Sequence, residues 1–533
     1  MLEKARQAER LTAERAAAEE RFQRYRTAVE VAAQLDRLRS SHPAAQPLPV
    51  LRAALERPLD RVAAIEYRQA VCRDLERPDV AAPVREFRLG MADVRGRLER
   101  ARRSYYRHEA SRWLLDAAAT YCRAVNSLAA GLAAGRPEST GLRRILEFVE
   151  AYRTSAAFRA LDADVERARS GLSRLRYRLH ISGNRIRVGR DRGEPDDGAA
   201  TLELFDKFRQ GEGQEHRFDL RLGSGMNHVE AAVLERVVRL HPDVFAVVDE
   251  VLERHSTFVD PVMVRFDAEV AFYLAYLEFV ERLRAHGLPF CYPVVSAGDT
   301  PLRARSIFDL ALAEGLGAAG GRIVTNDVEL EGHERIVVVS GPNQGGKTTF
   351  ARAIGQLHHL AALGLPVPGQ AVRCRLVDRI FTHFERREAV ETLEGKLERD
   401  LRRFRAILEA ATPDSLVIMN ESFSATSTSD ALSLSRIMLR TMAGRDMLVV
   451  CVTFLDELAA LGPEVVSMVA GIDPADPTIR TYRVERRPAD GRAYALALAA
   501  KHGLTYEQVR ATLLARRDGH DQPDGHDRGG DNR

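Results

Sequence analysis

Residues 340 to 349 read Ser-Gly-Pro-Asn-Gln-Gly-Gly-Lys-Thr-Thr, and this stretch decides how the rest of the chain is read. It follows the apolar run Ile336 to Val339 and precedes a helical pattern at Phe350, Ile354 and Leu357. A strand, then G-x-x-x-x-G-K-[ST] over Gly341 to Thr348, then a helix, is the pattern of a phosphate-cradling loop. The glycines let backbone N–H groups turn toward phosphate oxygens, and the new helix aims its positive end at them. Gly341, Pro342, Asn343, Gln344, Gly345, Gly346, Lys347, Thr348 and Thr349 are therefore the candidate nucleotide-binding residues. Lys347 supplies a mobile cation for the β/γ-phosphates, and Thr348 a hydroxyl for Mg²⁺. Asn343 either reaches the γ-phosphate and the attacking water or simply caps a tight loop. The bland alternative for the whole stretch is a glycine-rich turn with an incidental lysine.

Such a loop needs a second element, an apolar strand ending in an acid. Ser415-Leu416-Val417-Ile418-Met419-Asn420-Glu421 supplies it. The first polar position, where an Asp normally holds the Mg²⁺ water shell, is Asn420, which keeps an oxygen ligand and loses the negative charge. Glu421 is the candidate general base for the attacking water. Its alternative is a solvated strand end.

Outward from this pair, the chain after Pro293 alternates short β-branched runs with helical segments, which predicts a mostly parallel sheet flanked by helices. Residues 1 to about 180 are rich in Ala, Leu, Arg and Glu and read as successive helices, broken at Pro43, Pro47 and Pro49 and again near Gly131 to Pro137. Ile181 to Val188 places Gly183-Asn184 between alternating segments, as a hairpin would. Asp191 to Gly213 reads as a loop around a short helix, residues 228 to 286 as a long antiparallel helical pair interrupted near His255 to Pro261, and 516 to 533 as a disordered tail. The fold class is multidomain, α and α/β.

Composition narrows the classes. With 79 basic and 76 acidic residues and a formal charge of +3, no global field names nucleic acid as a partner, so a DNA-binding surface has to be local. Five cysteines without CxxC spacing indicate neither a zinc site nor a disulfide framework and fit a reducing cytoplasm. The charged start (Glu3, Lys4, Arg6) is unlike a secretion signal, and no apolar run approaches the ~20 residues that cross a bilayer, so a soluble cytoplasmic protein without a membrane is expected.

Gly341 to Thr349, the strand Ser415 to Ser422 and the following Ala425-Thr426-Ser427-Thr428-Ser429-Asp430 together resemble the ATPase domain of the MutS proteins, the DNA mismatch-repair ATPases. Asn326-Asp327, Asp378 to Thr382, and Val452-Thr453 with Glu457-Leu458 match the same order, so the resemblance covers roughly residues 323 to 458. It implies an ABC-type P-loop ATPase domain over 291–515, preceded by a helical core/lever region over 1–215 with a clamp hairpin near 179–190, and by long returning lever helices over 216–290. It implies ATP and Mg²⁺ as cofactors, duplex DNA as partner, and a dimer, most simply a homodimer, in which Thr426, Ser427 and Thr428 of one copy complete the nucleotide site of the other. Ser427 would face the partner's γ-phosphate, and Ile323 occupies the position where the family stacks an aromatic residue near adenine. Within one chain, a plain helix N-cap at Ser427 would look identical.

The departures matter as much. Besides Asn420, the histidine that senses the γ-phosphate in the family is matched by Phe454, and the Gly-x-Phe-x-Glu wedge that inserts into mismatched duplex is missing, so mismatch specificity is not carried over. The expectation is an ATPase whose nucleotide cycle clamps DNA, in mismatch repair or related DNA maintenance. The alternative is a nucleotide-gated dimeric scaffold that hydrolyses little. For DNA contact the basic hairpin Arg174 to Arg192, with Arg185, Arg187, Arg190 and Arg192, is a better candidate than Arg102 to Trp113, which reads as a solvated helix face with aromatics packed behind. His358 and His359, adjacent on a helix, point to different sides and read as structural.

Overall fold

A computed structural model describes residues 57–183, 185–191, 226–298, 301–317, 321–384, 395–423, 426–476, 479–489 and 504–511. The expected tail at 516–533, the loop from 192 to 213, and the helices expected before residue 57 lie outside the described residues. The chain divides into two units, one holding Arg73–Leu274 and the other Pro47–Cys72 with Ala275–Arg533.

The first unit is helical. Helices α1 (Val62–Glu76), α2 (Pro78–Arg103), α3 (Arg107–Gly135), α4 (Thr140–Thr154) and α5 (Ala156–Ser173) follow one another, α1 beginning in the other unit. Their first turns use local chemistry: Pro stands at the start of α2, and Ser139 and Ser155 cap α4 and α5 by accepting from Leu142 and Phe158 N–H groups. Helices α2 and α3 approach closely because small residues face each other, and a Cβ on Gly90 would lie 2.8 Å from that of Ala124. The expected hairpin is present, β1 (Tyr177–Ser182) pairing antiparallel with β2 (Arg185–Arg190).

The stretch expected as two helices is three: α6 (His228–Leu240), α7 (Pro242–Arg254) and α8 (Pro261–Ala285). Pro242 has no N–H to continue the ladder, so α6 ends at Leu240 and a new helix starts, while Asn227 and Glu230 form a capping box at the head of α6. Helix α8 runs into the second unit. The aromatics expected behind the Arg102 cluster are only partly packed: Arg100 stacks on Trp113 at 5.0 Å, but Tyr105 remains 90% exposed.

The second unit is α/β. After β3 (Phe290–Cys291), β4 (Val294–Ser296), β5 (Arg303–Ile307), α9 (Leu310–Gly317) and β6 (Asn326–Glu329) come β7 (Ile336–Ser340) and α10 (Lys347–Ala362). Then follow β8 (Val367–Pro368), β9 (Ala371–Arg375), β10 (Ile380–Phe384), α11 (Lys396–Ala410), β11 (Leu416–Asn420), α12 (Thr428–Ala443), β12 (Leu448–Val452), β13 (Val465–Ile472) and β14 (Arg480–Arg486). The main sheet has the order β10-β11-β12-β7-β13-β14, parallel throughout except for β14. Strands β7, β11 and β12 are buried on both faces and read as continuous apolar runs for that reason. The mostly parallel sheet is thus as expected. A second sheet, β4-β9-β5-β6, was not anticipated.

From β7 the chain moves to the far edge at β10, returns through β11 and β12, then crosses to β13 on the other side of β7. That reversal opens a crevice at the carboxyl ends of β7, β11 and β12, where open α/β sheets bind ligands. Among the described residues, no helix is long and apolar enough to cross a membrane.

Candidate nucleotide and catalytic site

Residues Gly341 to Gly346 link the end of β7 to α10 at this crevice. Two glycines are required by the backbone: Gly341 has φ 110°, where a Cβ would come within 2.8 Å of the Ala470 carbonyl, and Gly346, the residue before α10, has φ 92°. Gly346 carries no side chain to cap the helix, so the first N–H groups of α10 open into the crevice. Pro342, Gly345 and Lys347 are buried, Asn343 and Gln344 exposed, and Thr348 and Thr349 half-buried.

Lys347 folds back into the loop, its Nζ donating to the Gly341 carbonyl at 2.8 Å and the Pro342 carbonyl at 3.1 Å. Burial lowers its pKa, the carboxylates of Glu421 and Asp456 oppose that shift, and Arg480 adds to it. The ring of Phe454, half exposed, covers the ammonium at 5.1 Å. The loop after β12 thus offers Lys347 a π-face where a polar side chain would offer a donor.

Thr348 reaches across the crevice to the second element, its Oγ1 donating to Asn420 Oδ1 at 2.8 Å. Asn420 closes β11, and Glu421 follows with φ 51° and its N–H donating to the Val452 carbonyl at 2.9 Å. Left-handed backbone costs a side-chain-bearing residue about 1 kcal/mol or more. Among the described residues seven non-glycine positions adopt it, and four, Gln344, Glu421, Phe423 and Tyr482, belong to this loop or its neighbours. Such outliers persist where surrounding structure over-determines them, typically at functional sites.

Three neighbours, Arg480, Tyr482 and His383, had no sequence signal. Arg480 donates to the Asn343 carbonyl at 3.2 Å from β14. Tyr482, on the same strand, lies where a Cβ on Gly346 would be 3.8 Å from its ring. Asn326 grips that strand on both sides, accepting from Val484 N–H and donating to the Tyr482 carbonyl. His383 is buried in β10 with Nδ1 2.8 Å from Ser422 Oγ, and burial pushes it down to about 4, the Arg403 guanidinium acting in the same direction. Only the pairing of distant strands brings these side chains here.

Ile323 is half-buried three residues ahead of Asn326. Ser427 is exposed and caps α12, accepting from Asp430 N–H at 3.2 Å and donating to its carboxylate at 2.8 Å, with Thr426 Oγ1 3.3 Å from the same carboxylate. Within this chain Ser427 therefore acts as an N-cap, and it lies apart from the contacts that join Thr348 to Asn420. His358 is fully buried. His359 has a buried Nε2.

A family model described as MutS domain V matches residues 337–513. Among curated proteins, the chain is 29% identical over 275 residues to the endonuclease MutS2 of Gemmatimonas aurantiaca, covering 51% of this chain and 31% of that protein. It is 28% identical over 220 residues to the DNA mismatch repair protein MutS of Chloroflexus aurantiacus, covering 38% of this chain and 22% of that protein. The chain thus spans under a third of the length of these relatives. The matched segment begins on β7 and takes in the loop, the Thr348–Asn420 contact, Glu421 and Phe454, so it is over these residues that the chain is similar to MutS proteins.

Proposed function

We propose that the chain is an ATP-dependent DNA-binding protein of DNA maintenance, in which a nucleotide cycle at Gly341 to Thr348 governs the grip on DNA. The observation that carries this reading is the 2.8 Å contact between Thr348 and Asn420, which sets a hydroxyl and a carbonyl oxygen side by side next to the Lys347 loop. Those two oxygens suit a hard divalent cation, and the glycine backbone with the open head of α10 suits phosphate. Bound Mg²⁺ would supply charge neutralisation at the β- and γ-phosphate oxygens.

The protein's own part follows. Lys347 exchanges its two carbonyl acceptors for phosphate oxygens. Glu421 takes a proton from water as the water oxygen bonds to the γ-phosphorus, and the bond between that phosphorus and the β,γ-bridging oxygen breaks, leaving ADP and phosphate. Ser427 of a second copy completes the site in a homodimer. For DNA, the hairpin offers a basic face: by register Arg178, His180, Arg185 and Arg187 share one side, while Tyr177, Leu179, Ile181, Ile186 and Val188 share the other. Arg190 falls on the apolar side and donates to the Leu240 carbonyl at 2.8 Å, so the arginine cluster of the sequence divides. Duplex DNA affinity measured with no nucleotide, with ADP and with a non-hydrolysable ATP analogue tests the reading. Equal affinity in all three states counts against it.

A second reading rests on Phe454. With an aromatic ring over Lys347 and a neutral Asn420, the site suits nucleotide binding more than rapid hydrolysis, as a nucleotide-gated scaffold for a protein partner would. Tight ATP binding without turnover and without DNA affinity would favour it.

A further inference from the structure

The turn after β11 holds two left-handed residues, Glu421 at φ 51° and Phe423 at φ 62°, on either side of Ser422. Neither is glycine, and a bulky aromatic side chain is among the least suited to that conformation. Something must hold the turn. Phe423 is fully buried, its ring 6.0 Å from that of Phe404 on α11 and 6.0 Å from that of His383 on β10. His383 itself lies 5.6 Å from Phe404, so three rings lock together behind the turn. A polar tie between this cluster and the turn is the 2.8 Å contact of His383 Nδ1 with Ser422 Oγ, and His383 Nε2 faces Asp400 at 3.9 Å. A proton on Nε2, toward the carboxylate, leaves Nδ1 free to accept from the serine hydroxyl.

We propose that His383 and Ser422 are positioning residues for Glu421, holding the strained turn so that its carboxylate is presented at the crevice. This rests on the reading of Glu421 as the general base. The aromatic cluster fixes Phe423 on one side of Ser422, the Val452 carbonyl fixes the Glu421 N–H on the other, and the His383–Ser422 contact sets the residue between them. Without that contact, the turn can relax to right-handed backbone and carry Glu421 away from its water, while the loop that binds phosphate is untouched.

The test uses the full chain with Ser422→Ala, His383→Leu and His383→Asn, whose side-chain oxygen takes the place of Nδ1. Amide hydrogen exchange is read at residues 421–423, with steady-state ATP turnover and the thermal midpoint of each variant. Ser422→Ala and His383→Leu are expected to speed exchange at the turn at least fivefold and lower kcat by about tenfold, with KM within twofold. His383→Asn is expected to keep both within about threefold of the parent chain. Unchanged exchange at 421–423 in both Ser422→Ala and His383→Leu overturns the proposal, as does faster exchange with kcat unaltered. Should the parent chain turn over ATP no faster than Glu421→Gln, the hydrolysis reading fails separately, and the exchange rates alone decide whether this pair holds the turn.

Discussion

Thr348 Oγ1 donates to Asn420 Oδ1 over 2.8 Å, joining the residue after Lys347 to the end of a strand that is not its neighbour in the sheet, since β12 lies between β11 and β7. An aspartate in place of Asn420 would meet the same hydroxyl with a full negative charge. Asn420→Asp is expected to lower the Mg²⁺ concentration for half-maximal ATP turnover by about tenfold, roughly 1.4 kcal/mol, since a hard cation gains from an anionic oxygen. A magnesium titration of turnover checks it, and an unchanged half-point removes Asn420 from the metal site.

Phe454 stands over Lys347 at 5.1 Å. Its contribution is that of a partly desolvated cation–π contact, about 1 kcal/mol. Phe454→His, with a donor toward developing phosphate charge, is expected to raise kcat by roughly tenfold, whereas Phe454→Ala is not. Comparing kcat of the two variants at saturating ATP separates a donor effect from simple removal of the ring.

Much of the site was legible because its chemistry is local. Gly341 and Gly346 are needed for their backbone, and Lys347 and Thr348 follow at fixed spacing, so adjacent letters carry the motif. Fully buried parallel strands such as Leu448–Val452 declare themselves as apolar runs. The second sheet does not, because β4 and β6 are three and four residues long and β5 reads Arg-Ala-Arg-Ser-Ile. Arg480, Tyr482 and His383 were illegible for another reason: strand pairing across some 40 to 140 residues brings them in. Likewise the hairpin was readable while the division of its arginines was not, since register decides which face each one takes.

His358 on α10 is completely buried, has no hydrogen-bond partner among the described residues at either ring nitrogen, and is pushed down to about 4 by burial, with Arg375 acting in the same direction. Its folded pKa lies below the unfolded value of 6.5, so the unfolded chain binds more protons between those limits, and stability falls as pH drops through that window. The loss from this one group is about 2 kcal/mol at pH 5 and approaches about 3 kcal/mol below pH 4. His358→Leu removes that loss, so denaturant midpoints of the two proteins are expected to be close at pH 7.5 and to separate at pH 5, with the variant more stable. Parallel curves across this range would refute the assignment.

On the hairpin, Arg185 and Arg187 share the basic face. If both neutralise phosphates, Arg185→Ala with Arg187→Ala is expected to weaken duplex binding uniformly across sequences and to flatten the slope of log K against log salt by about 1.8, from roughly 0.9 per phosphate. Ile181→Ser, on the apolar side, should leave that slope unchanged. A salt titration of the three proteins reads the difference directly.

Glu421, beside the Thr348–Asn420 contact, is proposed to make this chain a working ATPase. Steady-state phosphate release by the purified full chain, with Mg²⁺ and ATP and with or without duplex DNA, tests it most directly against Glu421→Gln. Measurable turnover is expected, altered by DNA and lower by a factor of about a hundred or more in the variant, as loss of a general base lowers it. Turnover of the parent chain no greater than that of Glu421→Gln, with ATP still bound, would contradict it.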